Sequence, residues 1–174
     1  FIKRTGVEEF RVQNRGGKGV IGSGQKDEDP VDILTTCNAH DTLMFFMQNG
    51  RVYVEKAYEI PEGSRISKGR NIVNLLEMQK GEKVAALVSI DSFESEESLV
   101  LCTEKGVVKK TKISAYKNHR KGGIIGINVD EGDKVLQAIR AKIDDHLLIL
   151  TGLGKGLRFS CDQLRDQGRV TRGV

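Results

Sequence analysis

Apolar positions in this chain come in short runs rather than in helical stripes. Three runs share one pattern: Asp41-Thr42-Leu43-Met44-Phe45-Phe46-Met47-Gln48-Asn49-Gly50, Glu97-Ser98-Leu99-Val100-Leu101-Cys102-Thr103-Glu104-Lys105-Gly106, and Asp145-His146-Leu147-Leu148-Ile149-Leu150-Thr151-Gly152-Leu153-Gly154. In each, an acid and a polar residue precede an apolar run that begins with Leu, and Gly holds the tenth place. Runs of this length predict strands, being too short for a stable helix. Asn49-Gly50 predicts a tight type I′ hairpin turn, whose two central residues both need positive φ. Lys105-Gly106 and Leu153-Gly154 stand at the same place. Strand-like residues follow each turn: Arg51-Val52-Tyr53-Val54, Val107-Val108-Lys109-Lys110 and Lys155-Gly156-Leu157-Arg158-Phe159.

The N-terminus fits the same frame. Phe1-Ile2-Lys3-Arg4-Thr5 aligns with Val107-Val108-Lys109-Lys110-Thr111, and Phe10 with Ile60, Tyr116 and Leu164. Repeats therefore start at Phe1, Arg51, Val107 and Lys155, with units 1–50, 51–106, 107–154 and a partial 155–174. Each full unit holds one further predicted strand: Val31-Asp32-Ile33-Leu34, Lys83 to Val88, and Lys134 to Ile139. About four strands in a ~50-residue unit is the pattern of a propeller blade. The predicted fold is all-β, a propeller of about three repeats plus part of a fourth. A blade cannot bury both faces alone, so blades stack side by side. Closed propellers need about four to eight blades. The chain therefore reads as a segment of a larger ring, an open array, or an assembly completed by a second copy. The acidic run from Glu94 to Glu97 reads as a longer hairpin loop that lengthens the second unit.

Between the strands lies a loop rich in glycine and basic residues. Gln13-Asn14-Arg15-Gly16-Gly17-Lys18-Gly19 is the fullest copy. Weaker copies are Ser67-Lys68-Gly69-Arg70, Arg120-Lys121-Gly122-Gly123 and Gly168-Arg169-Val170-Thr171-Arg172-Gly173. Glycine lets backbone N–H groups approach a ligand closely, and Arg and Lys supply charge and donors suited to phosphate oxygens. One such loop is an ordinary solvated turn. Four at one period place basic groups along one rim. Arg15 and Lys18 of the fullest copy, with Lys68, Arg70, Arg120, Lys121, Arg169 and Arg172 of the weaker ones, are the rim candidates for phosphate contact. Other basic residues, Lys109 and Lys110 among them, read as solubility charges. As strand neighbours those two point to opposite faces.

Composition narrows the function without deciding it. Lys and Arg number 28 against 24 Asp and Glu, a net charge of +4 that permits a nucleic-acid partner but does not demand one. No apolar run approaches the ~20 residues of a membrane helix, and Phe1-Ile2-Lys3-Arg4 lacks the order of a secretory leader. Cys37, Cys102 and Cys161 have no CxxC spacing and read as reduced thiols. Gly17-Lys18-Gly19-Val20-Ile21-Gly22 spells GxGxxG, but an acidic, loop-like stretch follows where a dinucleotide fold needs a helix. His40, His119 and His146 form no metal or catalytic pattern.

Several segments closely resemble the C-terminal domain of the DNA gyrase A subunit, from the bacterial type II topoisomerases. They are Phe1 to Thr5, Gln13 to Gly19, Lys26-Asp27-Glu28-Asp29, Asn49-Gly50-Arg51-Val52-Tyr53 and Gly69-Arg70-Asn71-Ile72-Val73-Asn74-Leu75-Leu76. The resemblance covers essentially the whole chain. Residues 13–19 look like the gyrase-A box, with Asn14 where the family pattern has a basic residue; the resemblance implies that the matching Gln13, Arg15, Gly16, Gly17, Lys18 and Gly19 contact DNA. The resemblance implies a six-bladed β-pinwheel, in which neighbouring blades exchange strands and double-stranded DNA bends around the basic rim. It also implies, as partners, the rest of the A subunit together with the gyrase B subunit. The same resemblance implies a cytoplasmic, nucleoid-associated location and negative supercoiling by the parent enzyme. ATP and Mg would act elsewhere in that parent, so no cofactor and no catalysis are expected here. Tyr53, Tyr58 and Tyr116 match no breakage motif. With no aromatic wedge or base-reading helix, little base specificity is expected. Three other readings are a topoisomerase IV C-terminal domain, which the near-complete box opposes, a protein-interaction scaffold, which would not need Arg15 and Lys18, and an enzyme carrying its own active site, for which the sequence offers no constellation.

Overall fold

The computed structural model describes residues 1–10, 15–17, 19 and 30–174. Its strands are β1 (Thr42–Met47), β2 (Arg51–Lys56), β3 (Val84–Ile90), β4 (Ser98–Thr103), β5 (Val108–Lys112), β6 (Ile124–Ile125), β7 (Val135–Ala141), β8 (His146–Leu150) and β9 (Gly156–Ser160). Helix among the described residues is limited to short 3-10 turns. Three sheets form, ordered β3-β1-β2-β6, β5-β4-β7 and β8-β9, with every strand pair antiparallel. This is the expected all-β arrangement.

The three predicted hairpins are β1–β2, β4–β5 and β8–β9, but their turns differ from the expectation. No described non-glycine residue has positive φ, so Asn49, Lys105 and Leu153 do not adopt the type I′ conformation. Only Gly50, Gly106 and Gly154 do, at φ 89°, 86° and 78°. Their N–H groups donate to the carbonyls of Met47, Thr103 and Thr151, each at 3.0 Å. The turn is thus a three-residue loop closed by a left-handed glycine. The reason is steric: a left-handed conformation costs a residue with a Cβ about 1–2 kcal/mol, and this loop confines it to glycine.

β3 pairs along β1 and β7 along β4, as the second and third further strands predict. The first, Val31–Leu34, is not a strand; it has no regular structure and is exposed. A strand needs a partner edge, and the described residues hold no first hairpin strand for this segment to pair with. The run from Glu94 to Glu97 is not a hairpin loop either. It connects β3 to β4, which belong to different sheets. Glu94 pairs there with Lys117, and Glu97 with Arg140 at 2.6 Å.

The unbroken apolar runs arise because β1 and β4 are covered on both faces. Met44 and Phe46 pack with Leu99, Leu101, Ile113, Tyr116 and Ala138 between the first two sheets. The alternate residues Leu43, Phe45 and Met47 pack with Tyr53, Ala57, Ile60 and Leu76 on the opposite side. Val100 joins Val108, Leu147 and Cys161 against the third sheet. Each such side chain contributes about 1.5–3 kcal/mol on burial.

The outer edges of the N-terminal segment and of the hairpins β1–β2 and β4–β5 are each completed from the following repeat. Ile2 and Arg70 exchange backbone bonds of 2.8 and 2.9 Å, and Val108 and Val174 do so at 2.7 and 2.9 Å. Between them, Val52 pairs with Ile124 of β6. These three contacts occupy the same place in successive repeats: the glycine-basic loop of one repeat lies along the second hairpin strand of the repeat before it. The strand exchange implied by the resemblance is present in this form.

Candidate nucleic-acid interface

Exposure alternates along the loops 61–70 and 166–174, which turn at 65–67 and 169–171. Arg65, Ser67 and Gly69 are half-buried, while Ile66, Lys68 and Arg70 are exposed; Arg169, Thr171 and Gly173 are half-buried, while Val170, Arg172 and Val174 are exposed. Each loop therefore has an inner row that fastens it and an outer row that faces solvent.

Of the box, Arg15, Gly16, Gly17 and Gly19 are exposed, and Gly16 has φ 84°. Gln13 and Lys18 lie outside the described residues, as does the acidic turn 27–29. On the outer row, the Lys68 ammonium sits 3.9 Å from the centre of the Phe1 ring, a cation–π contact that props it on the rim. Arg70 is exposed and its backbone is fastened to Ile2. In the middle loop Arg120 and Lys121 are exposed, with Arg120 Nε donating to the Gly123 carbonyl at 3.3 Å. Burial and the neighbouring Glu59 raise the pKa of Glu55, while the charges of Lys121 and His119 act to lower it.

Arg169 and Arg172 stand differently. The Arg169 guanidinium donates to the carbonyls of Ala115 at 2.8 Å and Ile125 at 2.7 Å, tying its loop to the preceding repeat. Arg172 is exposed but lies 2.6 Å from the Asp130 carboxylate. Phosphate would compete with that carboxylate for it.

Two kinds of residue escaped the reading from sequence. Arg65 stands one repeat after Arg15, in the column Arg169 also occupies, and Lys18, Lys68 and Arg172 form a second column. The repeat frame contained that signal. Lys109 and Lys110 are not surface charges: they are 0% and 4% exposed. Lys110 Nζ donates to the Cys161 carbonyl at 3.0 Å and pairs with Asp166 at 3.4 Å. Burial pulls the Lys109 pKa down to about 8, and the Arg169 guanidinium adds to the effect. Nothing in a residue's type announces that its partners will be backbone carbonyls.

Among the described residues no three His, Cys, Asp or Glu side chains gather as a metal site would require. His40 rests edge-on against Tyr58, His119 tilts against Phe93, and His146 opens β8. Tyr53 and Tyr116 are buried. Cys37, Cys102 and Cys161 are free thiols, and burial raises the pKa of each. No helix among the described residues is long and apolar enough to cross a membrane.

A family model described as "DNA gyrase C-terminal domain, beta-propeller" matches residues 1–37, 41–91, 97–142 and 145–174. The chain is 44% identical over its whole length to the DNA gyrase A subunit of Mycolicibacterium smegmatis, and 40% identical to that of Clostridium acetobutylicum. It spans 21% of the length of each of these relatives. Among solved structures, a DNA gyrase A C-terminal domain superposes with a TM-score of 0.80 at 26% identity, covering 100% of this chain and 56% of that one. The C-terminal domain of a DNA topoisomerase IV superposes at 0.78 with 25% identity, covering 99% and 52%.

Proposed function

This chain belongs to the family of DNA gyrase C-terminal β-propeller domains, and from that premise we propose that it binds and bends duplex DNA around its basic rim without reading sequence. One observation carries the proposal. The glycine-basic loop recurs at the outer edge of successive repeats, with Lys68, Arg70, Arg120, Lys121 and Arg172 exposed along it. A row of exposed cations on a fixed scaffold suits a run of phosphates.

The energetics are compatible with bending. Curving a 20–30 bp segment through 40–90° costs about 1–6 kcal/mol. Each neutralised phosphate contributes about −0.9 to the slope of log K against log salt. A rim that engages roughly six phosphates would show a slope of about −5, enough to offset the bend at low salt and to fail at high salt. In the parent topoisomerase this wrapping would present a neighbouring duplex segment with one handedness, leading to negative supercoils. The proposed partners, in the bacterial cytoplasm, are the ATP-using B subunit plus the remainder of the A subunit. The segment itself carries no cleavage or ATPase chemistry in this reading. The longer relatives from Mycolicibacterium smegmatis and Clostridium acetobutylicum are named as gyrase subunits, which favours gyrase over topoisomerase IV.

The test is a topological one. Protein is added to nicked plasmid, the nick is sealed with ligase, and the linking number is read for the unaltered chain and for Arg15→Ala plus Lys18→Ala. A positive shift that the double variant loses is the expected outcome. Binding without a shift would reduce the activity to holding DNA. An absence of binding at low salt would overturn the proposal.

A further inference from the structure

Two repeats carry a lysine at the third place, Lys3 and Lys109, and both turn inward. Lys109 Nζ donates to the Arg169 carbonyl, to the Thr171 carbonyl at 3.2 Å and to the Gly126 carbonyl at 2.7 Å. Lys3 Nζ donates to the Arg65 carbonyl, to that of Ser67 at 2.7 Å and to that of Ser64 at 3.0 Å. Arg65 and Ser67 occupy the places of Arg169 and Thr171 in the loop frame. The same two carbonyls of the following loop are therefore taken up by the same lysine in separate repeats. Three acceptors match the three donors of an ammonium group. The repeat starting at Arg51 has Tyr53 at this place, and the loop of the following repeat that lies along it, Tyr116 to Gly123, is two residues shorter than the stretch from Ile60 to Gly69. There the Arg51 guanidinium donates to the Gly122 carbonyl instead.

The clamp has a consequence for the outer row. In a trans peptide the N–H points opposite to the carbonyl. Drawing the carbonyls of Arg65 and Ser67 to Lys3 turns the N–H groups of Ile66 and Lys68 away from it. Lys109 does the same for Val170 and Arg172. These four are exposed residues, so the lysine orders a line of backbone donors beside the outer-row side chains.

We propose that Lys3 and Lys109 are positioning residues for DNA binding, each fixing the basic loop of the following repeat so that its amides and cations face phosphate, without touching DNA itself. This rests on the DNA-binding reading above. The lysine belongs to one repeat and the ligand surface to the next, so the binding unit spans a repeat boundary.

The experiment uses the chain with Lys3→Met, Lys3→Arg and Lys109→Met. Amide hydrogen exchange of the free protein and affinity for a short duplex across a salt series are the two readouts. Lys3→Met is expected to speed exchange over 64–70 while leaving 168–174 unchanged, and Lys109→Met to do the reverse. Affinity at low salt should fall about tenfold, and the salt slope should shrink by about 1.8, more than the ~0.9 of one lost phosphate contact. Lys3→Arg, which retains a donor cluster, should restore both readouts. A slope change of ~0.9 with loop exchange unaltered would make Lys3 a direct phosphate ligand and overturn the inference. Faster exchange with unchanged affinity would overturn it too. Failure of the unaltered chain to bind the duplex would sink the DNA reading and this inference with it, a result distinguishable because it precedes any substitution.

Discussion

Replacing Gly69 with alanine tests how tightly a rim loop is seated on the preceding repeat. Gly69 has φ 80°, and a Cβ there would lie 2.5 Å from the Ile2 carbonyl oxygen and 2.9 Å from its carbon. The left-handed conformation alone costs about 1–2 kcal/mol. The clash is with backbone, so the loop must lift, and the paired bonds between Ile2 and Arg70 at 2.8 and 2.9 Å are lost. At about 0.5–1.5 kcal/mol net for each bond, the total comes to about 2–5 kcal/mol. Gly106 is the control: it has φ 86° and nothing within 4 Å of a built Cβ, so Gly106→Ala should cost only the conformational ~1–2 kcal/mol. Gly123 should fall between them, since its Cβ would meet the Tyr53 ring at 3.0 Å and the Val52 oxygen at 3.2 Å. Urea unfolding of the three variants, compared at equal m-value, gives the ranking directly. Gly69→Ala should also weaken duplex binding, whereas Gly106→Ala should not. If Gly69→Ala destabilises no more than Gly106→Ala, the loop is not seated as described.

Three further perturbations probe the interior. The Glu82 side chain is 2% exposed and accepts from Tyr53 Oη at 2.6 Å, Asn49 Nδ2 at 2.8 Å and the Gln79 N–H at 2.8 Å. Burial pushes its pKa up, but these hydrogen bonds and the Arg51 charge more than reverse that, leaving it lowered. Glu82→Gln should cost about 1–3 kcal/mol in urea melts at neutral pH. The stability Glu82 contributes should be present above its ordinary 4.5 and fade as pH falls through the folded value. For Lys109 the pH dependence has the same sign in a higher window: between about 8 and the ordinary 10.5 the unfolded chain holds a proton that the folded one does not. The stability of the unaltered chain relative to Lys109→Met should therefore rise with pH across that window; a flat difference would contradict the burial. Leu101→Ala, which opens a space between the first two sheets, should cost about 2–5 kcal/mol by the same melts.

The hairpins were legible because β1 and β4 are buried on both faces, which leaves no polar position to interrupt their apolar runs. The turn glycines were legible as turns, though not as the turn type, since the exact loop depends on which residue takes the left-handed conformation. Val31–Leu34 misled because a strand-like sequence states a propensity, while a strand exists only with a partner. The pairing of each loop with the preceding repeat was hidden for a related reason. β6 is two residues long, and its partner β2 lies in the preceding repeat of the chain. The candidate rim was legible as a column of basic residues at one period. The division of labour within it was not. Arg169 and Lys109 look like Arg70 and Lys68 in sequence, and only the carbonyls around them make them fasteners.

The one-repeat offset also sets the order in which the protein can be finished as it is made. A ribosome releases β1, β2 and β3 before Ile124 and Ile125, the pair that closes the outer edge of their sheet. The edge of β5 must likewise wait for Val174. At each stage of synthesis the newest sheet emerges with its outer edge bare, and bare edges are where nascent chains associate wrongly.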